Sequence, residues 1–155
     1  MEDEFLQMIR QHQGIIHKVC RLYRDSPEDR QDLFQEIVYQ LWKAFPSFEG
    51  RAKLSSWMYR IALNTALASF RKHRPEITYP VALPEQVADP SGGNLQQELL
   101  FAALKQLNDS EKAIIALYLE DMSYQEIAAI IGIDENYVGV KLNRIKTKIK
   151  SILKL

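Results

Sequence analysis

Arg60, Asn64, Leu67 and Arg71 recur at i, i+4, i+7 and i+11, with Lys53 in line before them, so that one helical stripe carries cations and an amide but no acid. The whole stretch between Glu49 and Glu76 lacks Asp and Glu, although Arg51, Lys53, Arg60, Arg71, Lys72 and Arg74 all fall within it. A solvated helix face usually mixes both signs, because opposite charges at i, i+4 support the helix. The chemistry implied here is contact with a polyanion. Trp57, Tyr59 and Phe70 lie in the same segment, so aromatic faces stand beside the cations, with Trp57 expected chiefly in the core.

A second group lies near the C-terminus. Asn136, Tyr137, Val140, Asn143, Arg144, Thr147 and Lys148 share one helix face, with Lys141 at its edge. They combine hydrogen-bonding, apolar and phosphate-pairing groups on one surface, the set that a major-groove reader requires.

The formal net charge of zero conceals this distribution. Residues 1–75 hold 12 basic and 9 acidic side chains, 76–95 none and 3, 96–135 two and 8, and 136–155 six and none. The basic excess therefore gathers in two blocks separated by acidic sequence, which implies two contact surfaces.

Catalysis finds no support in the sequence. No phosphate loop, pair of catalytic carboxylates or nucleophile with a base stands out, and His12, His17 and His73 form no i, i+4 metal pair, so no cofactor or metal is expected. Cys20 is the only cysteine, which excludes an internal disulfide and a structural thiolate zinc site. The acidic opening MEDEFLQMIR is unlike a signal peptide, and no run of about 18 apolar residues offers a membrane span. A cytoplasmic location without membrane insertion is expected.

The elements that position these groups are all helical. Apolar residues at helical spacing run from Phe5 to Tyr23, with Gly14 the weak point. Ser26, Pro27, Glu28 and Asp29 open a second helix that continues through Leu33, Phe34, Ile37, Leu41 and Phe45 to Pro46. The polyanion segment forms the next helix, from Leu54 to Arg74. Residues 76–94, rich in proline and with a Gly-Gly pair, have no amphipathic pattern and are expected to be a linker. Beyond them a helix over 95–107 precedes one capped by Asp109 or Ser110. Ser123 and Glu126 then supply a capping box, Gly132 closes a helix of about two turns, and Asp134 caps a longer one with core positions Val138, Leu142, Ile145, Ile149 and Ile152. A short helix, a glycine turn and a long helix make a helix-turn-helix. The fold class expected is all-α, with two small helical domains over 1–75 and 95–155. Two readings of these residues are an ordinary helix-turn-helix repressor or activator, which leaves the acid-free Arg51–Arg74 segment unexplained, and a helical adaptor that binds only protein, for which the basic blocks would be incidental.

FEGRAKLSSWMYRIALNTALASFRK, DLFQEIVYQLW and MSYQEIAAIIGIDENYVGVKLNRIK, in their places along the chain, resemble the bacterial extracytoplasmic-function (ECF) sigma factors. The resemblance implies an RNA polymerase sigma factor that binds core polymerase and promoter DNA, commonly held by an anti-sigma factor. It implies that Asp32, Gln35, Glu36 and Tyr39 dock on polymerase, and that Lys53, Arg60, Asn64 and Arg71 contact the minus-10 element, with the Phe48–Ser55 loop capturing an unstacked base. Asn136, Tyr137, Val140, Lys141, Arg144 and Lys148 would read the minus-35 element. Family members often carry Thr-Val-Lys-Ser-Arg where this chain has Tyr137-Val138-Gly139-Val140-Lys141, so no minus-35 sequence preference carries over from the resemblance.

Overall fold

The computed structural model describes residues 2–50, 53–68 and 95–154. Arg71, the end of the Leu54–Arg74 helix and the expected linker over 76–94 lie outside them. The chain divides into two compact units, Met1–Pro90 and Ser91–Leu155. Eight α-helices and one short 3₁₀ turn are the regular elements among the described residues, and the fold is all-α.

In the first unit α1 (Glu2–Gln11) and α2 (Gln13–Tyr23) replace the single helix expected from the periodicity. The break falls at His12 (φ −121°, ψ 22°), two residues before Gly14. The His12 N–H is shared between the Met8 and Ile9 carbonyls, and the Ile15 N–H closes a three-residue turn onto His12. Glycine weakens the helix locally, and the tighter turn resets which side chains face inward: Phe5, Met8 and Ile9 before it, Ile16, Val19, Cys20 and Tyr23 after it. His17 is buried against Phe34, its ring 5.0 Å away, a packing residue.

Helix α3 (Pro27–Ala44) opens as expected, Ser26 Oγ accepting from the Asp29 N–H at 3.1 Å with Pro27 in the first turn. It passes into a 3₁₀ turn, Phe45–Ser47, containing Pro46. Leu33, Phe34, Ile37 and Leu41 are almost wholly buried, as are Met58 and Tyr59 from α4 (Leu54–Ala68). Trp57 is half-buried, its ring 4.7 Å from Phe48 and 6.5 Å from Phe45, and α1 joins the aromatic cluster through Phe5, edge-on to Trp42 and Phe45. Arg24 ties α2 to the end of α4 by donating to the Ala66 carbonyl at 3.3 Å. Burial pushes the Cys20 thiol up to about 12, so it stays protonated and unreactive at neutral pH.

The second unit comprises α5 (Leu95–Lys105), α6 (Asp109–Leu119), α7 (Tyr124–Ile131) and α8 (Glu135–Leu153). Its core is Leu104, Ile114, Leu117, Ile127, Val138, Leu142 and Ile145, while Ile149 and Ile152 are only half-buried. The cap of α6 is Asn108, not Asp109 or Ser110. Of the three, only Asn108 has an acid three residues on, and Glu111 returns the bond: Asn108 Oδ1 accepts from the Glu111 N–H at 2.8 Å and Glu111 Oε1 from the Asn108 N–H at 3.0 Å.

The helix-turn-helix forms where its local signals lie. Ser123 and Glu126 exchange capping bonds of 3.1 and 3.2 Å. Gly132 takes the left-handed conformation (φ 84°) that ends α7, its N–H and that of Ile133 both reaching the Ala128 carbonyl. Asp134 caps α8. Gly139 lies against α7: a Cβ there would meet Tyr124 Cε2 at 3.3 Å. Tyr124 is 39% exposed, which leaves room for its ring to shift by the few tenths of an ångström such a contact needs. Gly139→Ala is therefore expected to stabilise the protein by up to about 1 kcal/mol through helix propensity, and Gly139→Leu to destabilise it by overpacking. Denaturant midpoints of the two variants check this; a lower midpoint for the alanine variant would show that the ring cannot move.

Candidate nucleic-acid interface

The acid-free stripe of the first unit lies on the outside of α4. Lys53, Arg60 and Asn64 are exposed, Leu67 is half-buried, and the opposite side of the helix is buried through Met58, Tyr59, Ala62, Leu63, Thr65 and Ala66. No hydrogen bond or ion pair engages Arg60 or Asn64 among the described residues. Arg71 lies outside the described residues.

Asp32, Gln35, Glu36 and Tyr39 share a stripe of α3, with Asp32 exposed and the other three half-buried. Lys43 Nζ lies 5.6 Å from the centre of the Tyr39 ring. The two stripes of this unit meet, which periodicity within either helix could not show. A groove of about 350 Å³ between α3 and α4 is lined by Glu36, Gln40 and Ala44 on one side and Ile61, Asn64, Thr65 and Ala68 on the other. Thr65 uses its hydroxyl on its own helix, donating to the Ile61 carbonyl at 2.7 Å. Glu36, expected to dock protein, and Asn64, expected to contact DNA, thus share one cleft.

In the second unit the outer face of α8 carries Asn136, Asn143 and Thr147 exposed, with Tyr137 and Val140 at 44% and 45%. Two large apolar groups held half in water beside polar ones are costly for a plain solvated face and useful for contact with base edges and methyl groups. Thr147 donates to the Asn143 carbonyl at 3.0 Å, which leaves its oxygen as an acceptor.

The cations of α8 differ sharply in freedom. Lys146 faces away from this surface and pins α8 to α6, donating to Tyr118 Oη at 3.0 Å and lying 4.4 Å above that ring; this hydrogen bond holds its pKa above the usual lysine value. Lys141 donates to Ser110 Oγ at 3.4 Å and lies 5.6 Å from the centre of the Tyr137 ring. Lys148 is bound to both carboxylate oxygens of Glu111, at 3.0 and 2.8 Å. Arg144 is exposed and, alone of Lys141, Arg144 and Lys148, makes no hydrogen bond or ion pair among the described residues.

Glu111 did not emerge from the sequence as part of this surface. It stands 37 residues from Lys148, and no local pattern connects them. Burial raises its carboxyl pKa, but the Lys148 hydrogen bond, the Asn108 N–H and the charges of Lys148 and Lys141 outweigh burial and hold it below the ordinary value. Among the described residues no group of His, Cys, Asp and Glu could hold a metal ion, and no helix is long and apolar enough to cross a membrane.

Comparison with known proteins places both halves of the chain in one kind of molecule. Residues 8–76 match the sigma-70 region 2 family and residues 97–149 the sigma-70 region 4 family. SigM of Mycobacterium tuberculosis, an ECF RNA polymerase sigma factor, is 26% identical over 153 residues, covering 96% of this chain and 76% of its own. SigW of Bacillus subtilis, another, is 24% identical over 164 residues, covering 92% and 85%. Among solved structures, the sigma factor RpoE of Bartonella quintana, in complex with the anti-sigma factor NepR, superposes with a TM-score of 0.76 at 21% identity over 98% of each chain. CnrH, in complex with the cytosolic domain of CnrY, gives 0.70 at 19% identity over 99% of this chain and 90% of its own. With both regions matched in order and relatives of one kind along nearly the whole length, the chain belongs to the extracytoplasmic-function RNA polymerase sigma factors, non-enzymatic proteins that direct promoter-specific initiation.

Proposed function

We propose that this sigma factor divides its work among three surfaces. The α3 stripe of Asp32, Gln35, Glu36 and Tyr39 docks on core polymerase. Arg60 and Asn64 on α4, with Lys53 before it and Arg71 from the sequence stripe, hold the opened minus-10 element, and the α8 face of Asn136, Tyr137, Val140, Lys141, Arg144 and Lys148 reads minus-35 duplex. The observation that carries this division is the placement of unpaired cations. Arg60 on α4 and Arg144 on α8 are exposed and unengaged among the described residues, each beside polar and apolar groups suited to bases. The residues over 1–75 and 95–155 act as two domains joined by a linker over 76–94, so that the two DNA surfaces engage elements that are apart on the promoter. The protein acts in the cytoplasm, and an anti-sigma factor holds it there until induction, as the complexes of RpoE with NepR and CnrH with CnrY suggest.

Run-off transcription with purified core polymerase tests the reading. Asp32 and Gln35 are the cleaner probes of docking, because Glu36 shares its groove with Asn64. Asp32→Ala with Gln35→Ala is expected to weaken competition for core polymerase roughly 5- to 30-fold, the range for interface residues costing about 1 to 2 kcal/mol. Unchanged competition, with helicity intact, would move the docking surface off α3.

A further inference from the structure

Glu111 is an anion set into a surface otherwise built for phosphate. Its side chain belongs to a residue only 7% exposed, and Oε1 is held by the Asn108 N–H at 3.0 Å, so the carboxylate cannot follow a departing partner. Lys148 can depart: its side chain is 55% exposed on a flexible four-carbon stem. Lys141, two turns earlier on α8, rests on Ser110, the residue before Glu111. The first turn of α6 therefore engages two of the three cations on this face and leaves Arg144 between them unengaged.

We propose that Glu111 is a specificity-determining residue, a built-in competitor that withholds Lys148 from DNA until α8 is seated in register. The inference rests on the reading of the α8 face as the minus-35 surface. Non-specific binding is driven by neutralising phosphates with available cations. A phosphate must take Lys148 from a carboxylate of the same sign already at 2.8 Å, and the exchange leaves a largely buried carboxylate without its ion-pair partner. On a random duplex nothing offsets that cost, so Lys148 stays with Glu111. On the correct site, contacts by Asn136, Tyr137, Val140 and Arg144 hold one phosphate beside Lys148 at high effective concentration, and the exchange proceeds. The lysine then contributes to the specific complex and little to the non-specific one.

Glu111→Gln tests this with little disturbance, since glutamine keeps the shape and the Oε1 acceptor of the capping box while removing the charge. Holoenzymes carrying Glu111→Gln, Lys148→Gln or both are titrated with a promoter fragment and a random duplex across a salt series. Glu111→Gln is expected to bind random duplex about 2- to 5-fold more tightly at low salt, the scale of one exposed ion pair. The slope of log affinity against log salt should steepen by about one, and the promoter-to-random ratio should fall. The double variant should behave as Lys148→Gln does. An unchanged slope in Glu111→Gln overturns the proposal, as does a gain that survives in the double variant, which would mark a general loss of negative charge. Arg144→Ala on the same fragments separates the two readings. Weakened promoter binding there with no effect of Glu111→Gln removes the role of Glu111 alone; no effect of either removes the minus-35 face as well.

Discussion

Arg144→Ala is expected to weaken binding of the holoenzyme to minus-35 duplex by about 1 to 3 kcal/mol, roughly 5- to 150-fold, the scale of a good base-edge contact. The size follows from what the arginine lacks in the free protein. It makes no hydrogen bond or ion pair among the described residues, so DNA gains its full set of donors without displacing a partner. Lys141→Ala should fall at the lower end of that range, because Lys141 already donates to Ser110 and lies over the Tyr137 ring. A base-edge contact and a phosphate contact separate on a second duplex: the first relaxes discrimination at one base pair, the second weakens all sequences alike. Equal binding by wild type and Arg144→Ala on both duplexes would show that α8 presents a different face to DNA.

Arg60→Ala combined with Asn64→Ala should leave closed-complex formation nearly intact and lower the fraction of open complex about ten-fold or more. Both side chains are exposed on the acid-free stripe of α4, away from its buried side, so their loss does not disturb the core. Hydrogen bonds involving a charged group contribute about 1.5 to 3 kcal/mol, and those that Arg60 makes to unpaired DNA exist only after the strands separate. The deficit therefore belongs to the opening step. Permanganate reactivity of thymines near the start site, followed beside a closed-complex binding assay, reads the two steps independently. Because Asn64 shares a groove with Glu36, the same preparations are to be compared for core binding, where no change is expected. Normal permanganate reactivity in the double variant would take strand holding away from this stripe, and a loss confined to core binding would reassign the groove to polymerase.

The sequence by itself determined the helices other than the division of α1 from α2, many of their ends, and the family. The ends that were legible rest on residues within about four positions of one another: Ser26 with Asp29, Ser123 with Glu126, Gly132 with Ala128. Such signals are legible because the backbone that joins the partners is itself the helix being capped. Periodicity likewise identified the buried sides of α3 and α8, since one face of a helix recurs at a fixed interval whatever packs on it. The Asn108 cap was equally local and is explained by its match with Glu111. The charge blocks, too, are properties of the linear chain.

Tertiary structure alone decided which of those charges are available and which faces adjoin. Lys141, Arg144 and Lys148 are alike in sequence as cations on one helical face, yet Glu111 engages Lys148, Ser110 engages Lys141, and Arg144 stands apart. Glu36 and Asn64 border one groove only because α3 packs on α4. The break at His12 answers to two sets of buried side chains that one straight helix does not bring inward together. These are pairings between residues far apart in the chain, and their partners are fixed by the packing of helices on one another. No interval within a single helix encodes that packing, so the number of cations was readable from the sequence and their freedom to meet DNA was not.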